Sequence, residues 1–181
     1  ASDVYKRQVR AGLNVALSGI PWWTTDIGGF HGGDPEDETF RELIVRWFQF
    51  GAFCPVMRLH GHREPRLSHG PVGDGGGPNE VWSFGQPAYA AISAMLRLRE
   101  RLRPYIHAHL REGERTGIPL MRPLLLAFPA DEAAWEVDDQ YMFGPDILVA
   151  PVTEFGARQR RVYLPPGCRQ PESGSVQSAP A

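Results

Sequence analysis

As far as Gly117, short apolar runs alternate with amphipathic helical patterns, and this alternation restricts the fold more than any other feature. Residues 20–26 (IPWWTTD) and 52–59 (AFCPVMRL) are apolar or β-branched along most of their length, which predicts strands buried on both faces. Each run is followed by a Gly-rich loop and then by a helical pattern. This order is typical of a parallel sheet covered by helices, the α/β class.

Two long helices are predicted from the spacing of apolar residues. The first ends at Gly51, and the second contains Pro104, which predicts either a kink or the start of a new helix. The apolar stripe of the first helix consists of Phe40, Leu43, Ile44, Trp47 and Phe48. That of the second consists of Ile92, Met95, Leu96, Leu102 and Ile106. Residues 9–18 suit the end of a further helix that Gly19 closes.

After Gly117 the helical patterns give way to short strand candidates separated by turn residues. These candidates are residues 119–128, 140–144, 146–152 and 160–165, with one helical turn at 132–136. Such an order predicts an antiparallel all-β segment. We therefore expect a domain boundary at Gly117, between an α/β part over residues 1–117 and a β part over residues 118–167.

The two ends of the chain are kept apart from this interpretation. Residues 1–8 include DVYKRQ, which resembles translated sequencing adapter, and we expect them to be foreign to the protein. Residues 168–181 lack apolar periodicity and are rich in Ser, Pro, Gln and Ala. We expect this segment to be a tail or the product of a frame slip.

Composition excludes several classes of function. The net charge of −2 in 181 residues gives no support for nucleic-acid binding, which usually shows as a basic patch. No apolar run approaches the roughly 18 residues of a membrane span, and no signal peptide is visible. Two cysteines do not make a disulfide framework, and Cys54 lies in an apolar run that predicts a buried thiol.

Six strings occur in order between residues 9 and 166. They are SGIPWWTTDIGGF, RWFQFGAFCPVMRLHG, RLRPYI, PLMRPL, QYMFGPDILVAPV and RRVYLP. Together they resemble glycoside hydrolase family 31, which contains α-glucosidases and α-xylosidases. The resemblance implies the C-terminal part of a (β/α)8 TIM barrel, with residues 20–26 as strand 7 and 52–59 as strand 8, followed by the start of a β-sandwich domain.

Barrel enzymes carry their sites on the loops that follow the strands, which directs attention to Asp26–Phe30 and Arg58–His62. By itself, a loop Asp such as Asp26 more often caps backbone N–H groups than binds a ligand. The family resemblance reverses this expectation and implies that Asp26 shapes a sugar pocket and that Phe30 lines it. We expect Gly28 and Gly29 to allow a tight turn between them.

The second loop supplies two more candidates. The resemblance implies that His60 hydrogen-bonds hydroxyls of the sugar being cleaved, although a lone His beside an apolar strand is more often structural. Arg58 is expected to support the same site, or to pair with a carboxylate such as Asp26.

Trp22 and Trp23 are expected to face opposite sides of their strand, with Trp23 nearer the site and a core role for both as the alternative. The loop 61–84 is expected at the pocket mouth, where it contacts the sugar beyond the cleaved bond or has no substrate role.

The catalytic residues themselves are not identified in this sequence. Retaining glycosidases use two carboxyl groups, and the family motifs that carry them resemble W-x-D-x-N-E, W-x-D-x-G-E and W-x-G-D strings, none of which occurs here. We expect the nucleophile and the acid/base to precede this chain. The acidic cluster at residues 34–38 fits a solvated helix start instead.

The resemblance implies hydrolysis, with retention, of terminal α-linked glucose or xylose from an oligosaccharide or other glycoside, without a cofactor. Glucose and xylose specificity, and transfer to a sugar in place of water, remain open alternatives. A non-catalytic carbohydrate-binding relative is the rival function. A zinc site at His60, His62 and His69 lacks the expected ligand spacing, so no metal is predicted.

Overall fold

The computed structural model describes residues 2–68 and 74–168, which contain six helices and seven short strands. The helices are α1 (Ser2–Leu17), α2 (Glu38–Gly51), α3 (Gln86–Arg101), α4 (Arg103–Thr116), α5 (Leu124–Ala127) and α6 (Glu132–Trp135). The strands are β1 (Asp26–Ile27), β2 (Arg58–Leu59), β3 (Arg63–Ser68), β4 (Asp74–Gly77), β5 (Met121–Pro123), β6 (Tyr141–Phe143) and β7 (Ile147–Val149).

The helix α2 forms where the apolar stripe predicted it. The side chain of Asp37 caps its first turn by accepting a hydrogen bond of 2.9 Å from the amide of Thr39, which satisfies one of the free N–H groups at a helix start. Four of the five predicted stripe residues are buried, and Leu43 packs against the same core while remaining partly exposed. The helix ends at Gly51, as predicted.

Pro104 marks a new helix, one of the two outcomes predicted for it. The helix α3 ends at Arg101 and α4 begins at Arg103, with Pro104 in the first turn, where its missing N–H costs no hydrogen bond. Gly117 then closes α4 in the left-handed conformation, with its amide donating to the carbonyl of Gly113 over 2.8 Å.

The two predicted buried strands are much shorter than their apolar runs. The parallel ladder pairs only Asp26 and Ile27 of β1 with Arg58 and Leu59 of β2. Residues 52–54 are turns, because the amides of Phe53 and Cys54 donate to Phe50 and Gly51 on the helix. An apolar run alone does not distinguish a helix end from a strand, and here the helical hydrogen bonds extend into it.

The segment 61–84, predicted as a loop, contains an antiparallel hairpin. The strands β3 and β4 pair with Arg63 opposite Gly77, and the register is irregular between Arg63 and Leu67. Several glycines and one proline in these strands hide the alternation that would have predicted pairing.

The β part follows the predicted order with two corrections. The strands β5, β6 and β7 form an antiparallel sheet in that order, and α6 supplies the predicted helical turn. Residues 124–127, predicted as strand, form the helix α5. Residues 160–165, also predicted as strand, join no ladder, because both backbone hydrogen bonds of Tyr163 go to the side-chain amide of Gln140.

A single hydrophobic cluster joins both parts of the chain. Trp47 and Phe48 of α2 belong to the same cluster as Met121, Tyr141 and Phe143 of the β sheet. The hydroxyl of Tyr141 also donates to the carbonyl of Phe53 over 2.9 Å. The expected boundary at Gly117 therefore runs through a shared core.

The helix α1 begins at Ser2 and so includes residues 2–8, the segment expected from the sequence to be foreign to the protein. Tyr5 is 1% exposed, and its ring centroid lies 5.4 Å from that of Trp47. Its hydroxyl donates to the carbonyl of Arg46 over 3.1 Å. No helix within the described ranges has the length and apolar character needed to cross a lipid bilayer.

The two cysteines differ in accessibility, which predicts a difference in alkylation. Cys54 is fully buried, and burial raises the pKa of its thiol, whereas Cys168 is partly exposed. Because the thiolate is the nucleophile, iodoacetamide should label Cys168 of the native chain and leave Cys54 unmodified. Peptide mapping by mass spectrometry measures both sites, and 6 M urea provides the control in which both react. Equal labelling of both thiols in the native chain would contradict the buried position of Cys54.

Candidate functional site

The ends of β1 and β2 bring two predicted site residues together. The strands are parallel, with Asp26 opposite Arg58 and Ile27 opposite Leu59. In register, parallel strands end at the same edge of a sheet, so the residues that follow them are neighbours. Nη2 of Arg58 lies 2.5 Å from Oδ1 of Asp26, which is the pairing considered for Arg58 from the sequence.

The ion pair orients Asp26 more than it stabilises the fold. The side chain of Arg58 is 53% exposed, and exposed pairs of this kind contribute about 0.2–1 kcal/mol. The loop turn is closed by the backbone carbonyl of Asp26, which accepts from the amide of Gly29 over 2.8 Å. Within residues 2–68 and 74–168 no backbone N–H donates to the Asp26 carboxylate, so the loop-cap alternative finds no support there.

Phe30 and His60 form the next contact between the two loops. Their ring centroids are 5.3 Å apart and the rings are inclined by 42°. Phe30 reaches this position because Gly28 and Gly29 both adopt positive φ, at 86° and 81°, where other residues are strained. The predicted tight turn is therefore present, and it places Phe30, 42% exposed, beside His60.

Trp23 packs against the helix α1. A Cβ added to Gly12 of α1 would come within 2.7 Å of Nε1 of Trp23, so the indole packs tightly against that helix. Trp22, on the other face, is 50% exposed. Trp23 also packs against the hydrophobic core. Its expected position near the site stays a prediction.

Arg63, which no sequence motif singled out, is the buried side chain whose hydrogen bonds hold the two loops together. Its side chain is 0% exposed, and its guanidinium group carries five N–H donors. The acceptors within 3 Å are the carbonyls of Ile27, Gly29 and Gly32 and the side-chain oxygen of Asn79. The carbonyls of Gly28 and His60 lie further away, both at 3.5 Å.

The charge of Arg63 is buried among neutral acceptors. Burial lowers the pKa of its guanidinium, and the nearby Asp26 carboxylate acts in the opposite direction. Its Cζ also lies 5.2 Å from the ring centroid of Phe40, within cation–π range. The Gly-rich loop with its many unpaired carbonyls was a signal for such a donor, but the sequence could not show which arginine supplies it.

The hairpin supports the same arrangement. The amide of Glu64 donates to the carbonyl of Gly33 over 3.0 Å, and Nδ2 of Asn79 donates to the carbonyl of Gly61 over 3.3 Å. Residues 69–73, including His69 of the zinc alternative, lie outside the described residues. In the described ranges no three His, Cys, Asp or Glu side chains are grouped in a way that would hold a metal ion.

A parallel strand pair with polar loops at its carboxyl edge is the arrangement in which α/β proteins carry their sites. The glycosyl hydrolases family 31 TIM-barrel domain matches residues 1–109, and the glycosyl hydrolase family 31 C-terminal domain matches residues 117–170. The chain belongs to glycosyl hydrolase family 31.

Similar proteins include several with named activities. The α-xylosidase of Saccharolobus solfataricus is 41% identical over 160 residues, which is 88% of this chain and 20% of that protein. A probable glucan 1,3-α-glucosidase of Oryza sativa is 35% identical over 90% of this chain and 16% of its own length. The chain thus spans about a fifth or less of the length of these relatives.

Solved structures of family 31 enzymes are also similar to this chain over most of its length. A family 31 α-xylosidase from a soil metagenome, complexed with xylose, superimposes with a TM-score of 0.90 at 51% identity, covering 93% of this chain and 26% of that one. The family 31 dextranase of Flavobacterium johnsoniae, complexed with glucose, gives 0.79 at 38% identity, covering 91% and 19%.

Replacement of Arg63 tests its role in holding the loops. Arg63→Lys should lower the free energy of unfolding by about 2–5 kcal/mol, because lysine has three donors and leaves buried carbonyls unpaired. Urea denaturation measures the change. The control is Arg97→Lys, an exposed position on α3, where about 0.5 kcal/mol or less is expected. Equal effects at the two positions would contradict a structural role for the Arg63 hydrogen bonds.

Proposed function

We propose that this chain is the sugar-holding part of a retaining, exo-acting α-glycoside hydrolase that removes terminal α-linked glucose or xylose from oligosaccharides. One observation supports the proposal: Asp26 and Arg58 pair in the parallel register of β1 and β2, and His60, which follows β2, contacts Phe30 of the other loop. The named activities of the relatives, which include α-xylosidases and α-glucosidases, support it.

The segment 20–26 with β1 is strand 7 of a (β/α)8 barrel in this proposal, and the segment 52–59 with β2 is strand 8. The boundary at Gly117 separates the barrel from the start of a β-sandwich domain. The left-handed Gly117 at the end of α4 and the division of the family matches between residues 109 and 117 support this placement.

Asp26, Phe30 and His60 bind the terminal sugar, and Arg58 orients Asp26. One oxygen of the Asp26 carboxylate is held by Arg58, which leaves the other available to accept from a sugar hydroxyl. A neutral imidazole both donates and accepts, so His60 suits a second hydroxyl. Phe30 offers a half-exposed ring to the apolar C–H face of the sugar.

The reacting carboxyl groups come from a part of the enzyme outside this chain. In the retaining reaction one carboxylate attacks the anomeric carbon while the other carboxylic acid protonates the leaving oxygen as the glycosidic bond breaks. Water then hydrolyses the glycosyl-enzyme, activated by the same acid/base residue. Asp26 and His60 hold the sugar during both steps, and their contacts count towards rate where they strengthen in the transition state.

Replacement of His60 tests this proposal. In the full-length enzyme, His60→Ala should lower kcat/KM on aryl α-glucoside or aryl α-xyloside by 10-fold or more, because about 1.4 kcal/mol of lost transition-state binding is a factor of ten. Steady-state kinetics on both substrates measure the effect and also show which sugar is preferred.

The matched control is His107→Ala, which removes an exposed imidazole from α4. Its kcat/KM should stay within about twofold of the wild type, as expected of a surface substitution away from the site. A change below twofold for His60→Ala would remove His60 from the pocket. A wild-type enzyme that binds glucose or xylose but hydrolyses neither glycoside would instead identify a non-catalytic carbohydrate-binding protein.

A further inference from the structure

The two site loops meet a third time at His31 and His62, beyond the Asp26–Arg58 pair and the Phe30–His60 contact. These residues form an isolated parallel bridge, and the amide of His62 donates to the carbonyl of Phe30 over 2.7 Å. Their imidazole rings are stacked, with centroids 5.8 Å apart and planes inclined by 29°.

Phe30 lies among the three imidazoles and links this outer pair to His60. Its ring centroid is 4.4 Å from that of His31 and 5.5 Å from that of His62, both in edge-to-face geometry. The result is a continuous patch of four aromatic rings that leads from the proposed sugar pocket to the outer part of the loops.

The imidazoles of this patch can form further hydrogen bonds. His31, His60 and His62 are all exposed, and none of their ring nitrogens is hydrogen-bonded to another residue within the described ranges. Each neutral ring offers one donor and one acceptor, which matches the alternating needs of sugar hydroxyls.

The backbone beneath the patch is closely packed. A Cβ added to Gly61 would lie 2.5 Å from the carbonyl oxygen of Gly29 and 2.9 Å from that of Phe30, so the two loops are in direct contact. The guanidinium of Arg63 donates to the carbonyl of Gly29 in one loop and contacts the carbonyl of His60 in the other. The outer imidazoles are therefore held on a supported surface, as a binding site requires.

We propose that His31 and His62 form the binding subsite for the leaving-group sugar, the one on the far side of the bond that is cleaved. This inference rests on the proposed function, because it takes Asp26, Phe30 and His60 as the pocket of the terminal sugar. An exo-acting enzyme holds the terminal sugar innermost, and the next sugar then meets the next side chains outward. In a barrel the loops lead away from the strand ends, and His31 and His62 follow Phe30 and His60 along them.

A sugar fits this pair better than a metal ion does. Protein zinc sites take three or four side-chain ligands, and the described residues bring no third ligand to the two imidazoles. A stacked, exposed and unbonded pair instead offers apolar faces together with polar edges, the combination that a pyranose ring uses.

Substrates that differ only in the leaving group test the inference. In the full-length enzyme, kcat/KM is measured on an α-linked disaccharide and on the glycosyl fluoride of the same terminal sugar. His31→Ala and His62→Ala should each lower kcat/KM on the disaccharide by about 10-fold and change it less than twofold on the fluoride, which carries no leaving-group sugar.

Two further sets of variants sharpen the result. His31→Phe and His62→Phe keep an aromatic face but lose the hydrogen bonds, and they should recover part of the loss on the disaccharide. His107→Ala should leave both substrates unaffected. Thermal unfolding of every variant separates loss of fold from loss of contact, and the exposed, unbonded side chains predict unchanged Tm values.

The remaining outcomes overturn the inference. Equal losses on disaccharide and fluoride would place the two imidazoles with the terminal sugar, and no loss on either substrate would remove them from the substrate path. A wild-type enzyme that hydrolyses neither substrate would overturn the proposed function itself. That failure is distinct from one in which the wild type is active and the variants do not discriminate.

Discussion

The geometry of the site depends on one buried cation, the guanidinium of Arg63. It donates to carbonyls of the loop after β1 and to the side chain of Asn79, which follows β4. It also makes a longer contact to the carbonyl of His60. A Gly-rich loop has many backbone acceptors and few side chains that could anchor it, so without such a donor its carbonyls would be buried unpaired. With Arg63 in place, the loop is fixed against α2 and the hairpin, and the residues it carries are brought beside His60.

The α/β alternation, the helix α2 and the two loops that matter were all predictable, because each rests on local periodicity or on the rule that sites follow strands. Asp26, Arg58, Phe30 and His60 lie together for that reason. What the sequence could not show is long-range: the burial of Arg63, the direction of Trp23 towards α1, and the hairpin within a stretch of glycines. The strands β1 and β2 are also shorter than predicted, because an apolar run indicates burial and not the ladder hydrogen bonds that define a strand.

The β part shares a hydrophobic core with the α/β part. Tyr141 and Phe143 pack into the core that α1 and α2 also fill, and the hydroxyl of Tyr105 on α4 donates to the carbonyl of Phe143 over 2.9 Å. The end of α2 and the segment that leads to β2 therefore rest on the sheet through Phe53 and its neighbours. In the proposed enzyme this contact supports strand 8, and with it the loop that carries His60.

The most direct test of the account is a crystal structure of the full-length enzyme with glucose or xylose bound. We predict that one sugar ring lies at the ends of β1 and β2, with a carboxylate oxygen of Asp26 and a ring nitrogen of His60 each within about 3.2 Å of its hydroxyl groups. A sugar bound elsewhere, or one that leaves both side chains without a hydrogen bond to it, would contradict the assignment of this chain as the sugar-holding part of the site.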